Sequence, residues 1–386
     1  MMVSQIKSKD VPPLGLPKGS ESCQISIINT TCDITVPPSL LVEPAIEGHD
    51  WMNLPTYSFL IKHERSGKQI LFDLGARTDW YNHCPSVSDI LKCHVPGLKV
   101  ERNVADIIRE GGVYIKDIDV LVLSHWHFDH CGDIAVLPQT VDLVVGPGFK
   151  GAFLPGWPSK STSPFAEEVF LGRQIIEVPF TSNFKIGRFE AHDFFQDGSF
   201  YILNTPGHAI GHISALVRTT ADTFIFLGGD VCHFGGSYRP TKYVPLPDQI
   251  PEETILDPHI ARPCPCHAFT SCHPDQENSR TSSFYKVATG ASTWYADPAL
   301  AQQSIGAMEE FDADPNVLVA IAHDPTSLDV FTFFPNGTMN AWQKEGWKEA
   351  LHWGFLNELP YEGRTSRPHL VDGLYKDGKK VKDLKA

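Results

Sequence analysis

The sequence has no hydrophobic run long enough to cross a membrane. A spanning helix needs roughly 18–20 consecutive apolar residues, and no segment approaches that length. The first twenty residues also lack the apolar stretch of a secretory signal. Internal repeats and low-complexity blocks are absent as well. These absences predict a globular, cytoplasmic protein without a membrane partner.

Positive charge is scarce, because 32 Lys and Arg stand against 46 Asp and Glu, a formal net charge of -14. An acidic surface repels phosphate backbones, which argues against nucleic acid as a partner. Nine cysteines, an odd number in a long chain without a signal, predict mostly reduced thiols. The hydrophobic fraction of 42% is sufficient for a sizeable core. A small-molecule substrate is therefore the expected partner, and the oligomeric state is left open.

Four short apolar runs are each followed closely by a side chain that can bind a metal. The runs are 119–123, 200–203, 223–227 and 317–322, and the side chains are His125, His208, Asp230 and His323. Such compact runs are typical of buried strands, and loops that leave one sheet edge can converge on one site. A helix is predicted to start at Pro298 behind the N-cap Asp297. Strands that alternate with helices indicate an α/β fold.

The segment after the first run carries the strongest chemical signal. His125, His127, Asp129 and His130 lie within six residues. Imidazole nitrogens and carboxylate oxygens are the ligands that zinc takes at catalytic sites. Side chains two apart on an extended segment share one side, whereas Asp129 and His130 lie past the bend and can face a second metal. The pattern predicts a metal site rather than incidental histidines.

This H-x-H-x-D-H pattern resembles the hallmark of the metallo-β-lactamase superfamily. Further motifs follow in the order that the family shows: Asp73-Leu74-Gly75, Thr205-Pro206-Gly207-His208, Gly228-Gly229-Asp230 and Ala322-His323-Asp324. The resemblance implies a four-layered αβ/βα sandwich of two mixed β-sheets flanked by helices. We expect a mobile N-terminal arm over 1–23, a catalytic domain over 24–365 with an insertion at about 235–293, and a C-terminal tail over 366–386.

The resemblance also implies a role for each residue of the centre. The first metal is bound by His125, His127 and His208, the second by Asp129, His130 and His323, and Asp230 bridges the two. Two Zn²⁺ ions are implied, although manganese, iron and cobalt suit the same ligand types. A hydroxide shared by the two ions attacks a carbonyl carbon. Asp129 steers this hydroxide, and Asp73 orients a ligand from behind.

Within the superfamily the chain resembles the lactonase-like branch, which includes dizinc acyl-homoserine lactonases and fungal detoxifying lactamases or lactonases. The implied reaction is hydrolysis of a cyclic ester or cyclic amide. Lactone-cleaving members place a Tyr soon after the bridging Asp, but this chain has His233 there. His233 and Tyr238 are the two candidates for stabilising the carbonyl oxygen.

Three other functions stay open. A thioesterase would use the same metals, but it would bind its carrier through a basic cluster that the sequence lacks. A sulfatase or phosphodiesterase would need a cation near the site, for which Arg239 and Lys242 are the nearby residues. A non-catalytic metal-binding protein is disfavoured because every ligand of the family is present.

Some further residues carry two interpretations. His212 is either a packed core histidine, which we favour, or a partner behind a ligand. Trp51, Phe153, Trp157 and Phe234 either line an apolar pocket beside the metals or belong to the core. Within the insertion, the cluster Cys264, Cys266, His267, Cys272 and His273 either binds a structural zinc or consists of reduced thiols.

Overall fold

A computed structural model describes residues 6–181 and 183–384 of the chain. Its strands are β1 Cys23–Val36, β2 Val42–Glu43, β3 Met52–His63, β4 Gln69–Phe72, β5 Gly97–Val100, β6 Val120–Val122, β7 Asp142–Val145, β8 Ile175–Glu177, β9 Lys185–Ile186, β10 Phe189–Asp193, β11 Phe200–Asn204, β12 Ile213–Arg218, β13 Phe224–Leu227, β14 Lys286–Val287, β15 Val317–Ala320, β16 Gly373–Lys376 and β17 Lys379–Asp383. Its α-helices are α1 Pro85–His94, α2 Val104–Glu110, α3 Phe128–Cys131, α4 Phe149–Phe153, α5 His267–Thr270, α6 Pro298–Ala313, α7 Ser327–Val330 and α8 Trp347–His352. None of these described helices is long and apolar enough to span a bilayer.

Two large mixed sheets dominate the architecture. The first has the strand order β17-β16-β5-β1-β3-β4-β6-β7-β8, and the second has the order β15-β13-β12-β11-β10-β9. Parallel pairs, such as β4 with β6 and β13 with β15, occur beside antiparallel ones in both sheets. Strands β2 and β14 form a small separate pair.

The core has three layers of side chains, because each large sheet buries both faces. Successive side chains of a strand point to opposite faces. On β3, Phe59 packs between the two sheets with Ile202 and Ile225, whereas its neighbour Leu60 packs on the outer face with α2. The outer face of the second sheet is covered by α6, through residues such as Phe311. The order helix, sheet, sheet, helix confirms the predicted four-layered αβ/βα sandwich.

The chain ends are more structured than their sequences suggest. In the predicted N-terminal arm, the side chain of Leu14 is buried and the guanidinium of Arg218 donates to the carbonyl of Pro17 at 2.6 Å. Residues 1–5 of that arm lie outside the described residues. The predicted C-terminal tail is corrected over residues 373–383, because β16 pairs with β5 and β17 pairs with β16. Strand β17 is exposed along its length and rich in lysine, which suits the edge of a sheet.

Candidate metal centre

The predicted strand ends meet at one edge of the molecule. Strand β12 is antiparallel to both β11 and β13, and β13 is parallel to β15. The carboxyl ends of β11, β13 and β15 therefore lie on the same edge of the second sheet. The segment after β6 reaches this edge from the first sheet, since the backbone N–H of Ile213 donates to the carbonyl of Ser124 at 2.8 Å.

The side chains that leave these strand ends form two adjoining groups of ligand atoms. One group consists of His125, His127, His208 and Asp230, and the other of Asp129, His130 and His323; within each group the ligand atoms lie within 4.8 Å of one another. Asp230 joins the two groups, because its Oδ2 lies 3.3 Å from Nε2 of His208 and its Oδ1 lies 3.3 Å from Nε2 of His323. The structure thus brings together the residues that the motifs predict as ligands.

Burial gives the first group the protonation state that a metal needs. Removal from water lowers the pKa of His127 to about 4, and it lowers the pKa values of His125 and His208 well below their usual range. Neutral imidazoles with free lone pairs result. Burial would raise the pKa of Asp230, but the surrounding imidazoles, His130 and His323 foremost, hold it well below its usual value. The first group therefore presents neutral nitrogens beside an ionised carboxylate. In the second group, burial would lower the pKa values of His130 and His323, but the nearby carboxylates, Asp230 foremost, raise them.

Several polar atoms of the cluster are buried without a partner. Among the described residues, Nε2 of His125, Nε2 of His130 and Oδ1 of Asp230 have no hydrogen-bond partner. Each unsatisfied buried polar atom costs about 1–3 kcal/mol, and a folded protein normally avoids such a cost. Divalent cations bound by these nitrogen and oxygen atoms would remove it. The donor set therefore fits a centre of divalent metals.

Asp73 holds the first motif from behind. One carboxylate oxygen accepts the backbone N–H of Ser124 at 2.7 Å, and the other lies 2.8 Å from Nδ1 of His130. Because the carboxylate engages Nδ1, it leaves Nε2 of His130 for a metal. Two residues on, Gly75 has a φ of +63°, and a Cβ there would lie 2.9 Å from side-chain atoms of Thr30 and Val104. The Asp-x-Gly motif thus combines a supporting carboxylate with a turn that only glycine fits.

We expect the substitution Asp73→Asn to weaken metal binding by about 10–100-fold, the usual effect of losing a partner behind a ligand. The amide removes the negative charge behind His130 and no longer fixes its tautomer. Competitive titration with Zn²⁺ measures the change. Asp119→Asn is the matched control, because Asp119 accepts from Gln69 at the opposite end of β6. Equal Zn²⁺ affinities of Asp73→Asn and wild type would show that Asp73 does not support the metal ligand His130.

His212 supports the backbone of Asp230 rather than packing as an inert core residue. Its Nε2 accepts the backbone N–H of Asp230 at 3.0 Å, and its Nδ1 lies 2.8 Å from the carbonyl of Thr205. Nδ1 is therefore the protonated nitrogen. The side chain ties the end of β11 to the end of β13, so the favoured interpretation as a packed core histidine is corrected.

His233 lies at the cluster, whereas Tyr238 does not. Nε2 of His233 is 3.1 Å from Oδ2 of Asp230, and Nδ1 is 2.9 Å from the hydroxyl of Tyr295. Tyr238 is fully buried in the core, with its ring 4.4 Å from the guanidinium of Arg239. The prediction for Tyr238 is corrected, because the chain turns into the core after His233. Sequence reasoning missed Tyr295, whose only signal was its place just before the helix cap Asp297.

The two cations predicted for a sulfatase or phosphodiesterase are also away from the cluster. Arg239 is buried in an ion pair with Asp312 at 2.5 Å and donates to the carbonyl of His352. Lys242 lines a shallow surface groove with Lys7 and Lys9. In the described part of the chain, neither residue lines the cavity at the metal cluster.

The cluster opens into a cavity of about 390 Å³ with largely apolar walls. Its walls come from β1, β3, α1, the first motif and the segments before α6 and after β11: Ile34, Leu54, Val87, Ile90, Leu91, Val95, Trp126, Phe128, Ala209, Ile210, Thr293, Trp294, Tyr295 and Ala296. Trp51, Phe153, Trp157 and Phe234 are absent from its described lining, so of their two interpretations the one that places them beside the metals is corrected. Trp157 lines a neighbouring cavity, and Phe153 and Phe234 belong to the core.

The cysteine- and histidine-rich part of the insertion does not form a second metal site among the described residues. The groups of side chains close enough to hold an ion include none of its members. Cys264, Cys266 and Cys272 are free thiols, as are the other cysteines. His273 instead fixes a turn, since its Nε2 lies 3.0 Å from the carbonyl of Ser282.

Comparison with known proteins places the sequence among related enzymes. A family model described as the metallo-beta-lactamase superfamily matches residues 52–231. The chain is 40% identical over 357 residues to the γ-lactamase FDB1 of Fusarium pseudograminearum (strain CS3096), covering 90% of this chain and 85% of that protein. It is 37% identical to the metallo-hydrolase mfmC of Annulohypoxylon moriforme, covering 93% of each chain.

Comparison with solved structures finds the same fold. An N-acyl homoserine lactone hydrolase, solved with N-hexanoyl-L-homoserine bound at its catalytic metal centre, superposes with a TM-score of 0.51. The match covers 83% of this chain and 100% of that chain at 17% sequence identity. At this identity the likeness concerns the fold alone.

Proposed function

Because this chain belongs to the metallo-β-lactamase superfamily and is one of its hydrolases, we propose that it opens a cyclic amide or cyclic ester of a small molecule. The observation that carries the proposal is the continuity between the metal-competent cluster and the apolar cavity. Cavities of about 300–1,000 Å³ with a few convergent polar groups are typical of small-molecule sites. The similarity to a γ-lactamase along most of the chain supports a cyclic amide, or the corresponding cyclic ester, as the substrate.

We assign the residues of the cluster to two divalent cations, zinc by the family resemblance. His125, His127 and His208 would hold one cation, Asp129, His130 and His323 would hold the other, and Asp230, which belongs to the first group and contacts the second, would serve both. When bound, such cations polarise a carbonyl and supply a hydroxide nucleophile at neutral pH. Two further residues position this ligand set without belonging to it. Asp73 contacts Nδ1 of His130, and His212 accepts the backbone N–H of Asp230.

Asp129 and His233 have the two remaining roles at the cluster. Asp129 lines the cavity, and its Oδ2 lies 3.4 Å from Nε2 of His323. We assign Asp129 to orienting the nucleophile and accepting its proton, because its carboxylate faces the space that the substrate enters. His233 was expected to stabilise the carbonyl oxygen. Its Nε2 is engaged by Asp230 in this geometry, so we assign it to holding that carboxylate.

The cavity favours a neutral, largely apolar ring over a charged substrate. Its described lining contains no Lys or Arg, and its wall is dominated by aliphatic and aromatic side chains. Beyond the proposed cations, a sulfate or phosphate ester would find no Lys or Arg in this lining to offset its remaining negative charge, whose burial is costly. A lactone or lactam with an apolar substituent needs only its carbonyl group to reach the cluster. These features argue against the sulfatase and phosphodiesterase alternatives.

The test is a matched panel of ring and open-chain substrates with zinc-loaded protein. We expect γ-lactones that carry apolar substituents to release acid, followed with a pH indicator, and the matching γ-lactams to release an amine, followed with an amine-reactive reagent. The open-chain amide or ester of the same composition should react more slowly, and sulfate and phosphate esters should not react. Turnover restricted to thioesters, or to sulfate or phosphate esters, would overturn the proposed substrate class.

A further inference from the structure

Tyr295 and His233 form a hydrogen-bonded pair at the edge of the metal cluster. The hydroxyl of Tyr295 lies 2.9 Å from Nδ1 of His233, and Nε2 of His233 lies 3.1 Å from Oδ2 of Asp230. All three side chains are buried, and Tyr295 is 62 residues from His233 in the chain. The pair lines the catalytic cavity, yet neither residue is among the ligands that the family motifs predict.

When the imidazole of His233 is neutral, the donors and acceptors of this chain of contacts have only one consistent direction. An ionised carboxylate accepts and never donates, so the contact with Asp230 requires a proton on Nε2 of His233. A neutral imidazole carries a single N–H, and Nδ1 is therefore an acceptor. The phenol of Tyr295 supplies the matching donor. The hydrogen bond from Tyr295 thus selects the Nε2–H tautomer of His233.

The other tautomer would change the metal site. Asp230, His233 and His323 are close enough together to hold an ion, but Nε2 of His233 can bind an ion only when its lone pair is free. That requires the proton to be on Nδ1, where it would face the hydroxyl of Tyr295. We propose that Tyr295 is a positioning residue that keeps His233 protonated at Nε2, outside the metal ligand set and bonded to Asp230. This inference rests on the proposed metal-dependent function.

Packing and backbone contacts hold Tyr295 in place for this role. Its ring stands edge-on to the rings of both His208 and His233, with centroid distances of 5.1 and 5.4 Å. The next two backbone N–H groups, of Ala296 and Asp297, donate at 2.8 Å to the carbonyls of His208 and Gly207. Gly207 has a φ of +130°, and a Cβ there would lie 2.2 Å from the backbone of Ala301 in α6. The start of α6 therefore fixes Tyr295 and the His208 loop together.

The first test measures the tautomer directly. In protein with ¹⁵N-labelled imidazoles, long-range ¹H–¹⁵N correlation should show the proton of His233 on Nε2, both before and after Zn²⁺ is added. Tyr295→Phe removes only the hydroxyl, and we expect the signal of Nδ1 to lose its hydrogen-bonded shift. A wild-type protein with the proton on Nδ1 would overturn the proposal, whatever the activity of the enzyme.

The second test measures the metal site with Co²⁺ alone, in the absence of substrate. We expect Tyr295→Phe to alter the visible absorption of bound Co²⁺ and to change its affinity by about 10–100-fold. Tyr238→Phe is the matched control, because Tyr238 is equally buried but lies away from the cluster. In a His233→Gln background, Tyr295→Phe should have no further effect.

The outcomes separate this inference from the proposed function. A Co²⁺ spectrum and affinity unchanged by Tyr295→Phe would overturn the role of Tyr295 and leave the metal centre standing. Tyr295→Phe could also change the Co²⁺ spectrum and affinity as much in the His233→Gln background as in wild type. That result would show that Tyr295 does not act through His233, and it would overturn the proposed role of Tyr295. A protein that binds no Co²⁺ would instead contradict the metal centre on which both depend.

Discussion

Asp230→Asn is expected to reduce the rate of lactone or lactam hydrolysis by more than about 100-fold. This loss exceeds the roughly 10–100-fold that is usual when a residue that only supports a metal ligand is changed. The carboxylate of Asp230 reaches both groups of ligand atoms, with contacts to His208 and His323 at 3.3 Å each. An asparagine keeps the shape but loses the negative charge and one of the two acceptor oxygens. The two cations would then lose their shared anionic ligand. Initial rates on the best substrate of the panel give the measurement.

We expect this variant to keep its fold, because the cluster lies at the ends of strands and outside the hydrophobic core. Circular dichroism and thermal melting check that point. Asp222→Asn is the matched control, since Asp222 is exposed at the start of β13 and Asp230 follows its end. Wild-type turnover by a folded Asp230→Asn protein would remove Asp230 from the ligand set.

Removal of metal is expected to abolish hydrolysis and to lower thermal stability together. A ligand that binds only the folded state stabilises it by about 4 kcal/mol at a thousandfold excess over its Kd. Without cations, the unpartnered atoms of His125, His130 and Asp230 stay unsatisfied in the interior. Treatment with a chelator followed by gel filtration should therefore lower Tm by several degrees.

Adding back Zn²⁺ to the stripped protein should restore both activity and Tm, while Mg²⁺ should restore neither. Magnesium prefers octahedral oxygen ligands, whereas this cluster offers mainly imidazole nitrogens. Full hydrolysis by protein that metal analysis shows to be stripped would contradict a metal-dependent reaction.

The ligand residues could be predicted from the sequence because their signals are local. His125, His127, Asp129 and His130 lie within six residues, and the other ligands directly follow buried strands. A strand end has little freedom, so a residue placed there inherits its position from the sheet. The layer order was implied by the resemblance to the family, whereas the strands and the helix that starts at Pro298 indicated only an α/β fold.

The residues around the cluster could not be predicted, because they depend on packing between distant segments. The cavity wall includes α1, whose Val87 and Leu91 share one helix face, and no motif ties this helix to the metal site. Tyr295 arrives from the start of α6, whereas Tyr238, nearer in sequence, turns into the core. The charged strand β17 has the composition of a solvated tail, since an edge strand exposes both faces.

Metal analysis of the purified chain, paired with turnover of a substituted γ-lactam or γ-lactone by the same sample, tests the central claim most directly. The account predicts close to two divalent transition-metal ions per chain and ring opening that scales with metal content. A chain that carries no such ions, and that opens no ring after Zn²⁺, Mn²⁺, Fe²⁺ or Co²⁺ is added, would contradict it.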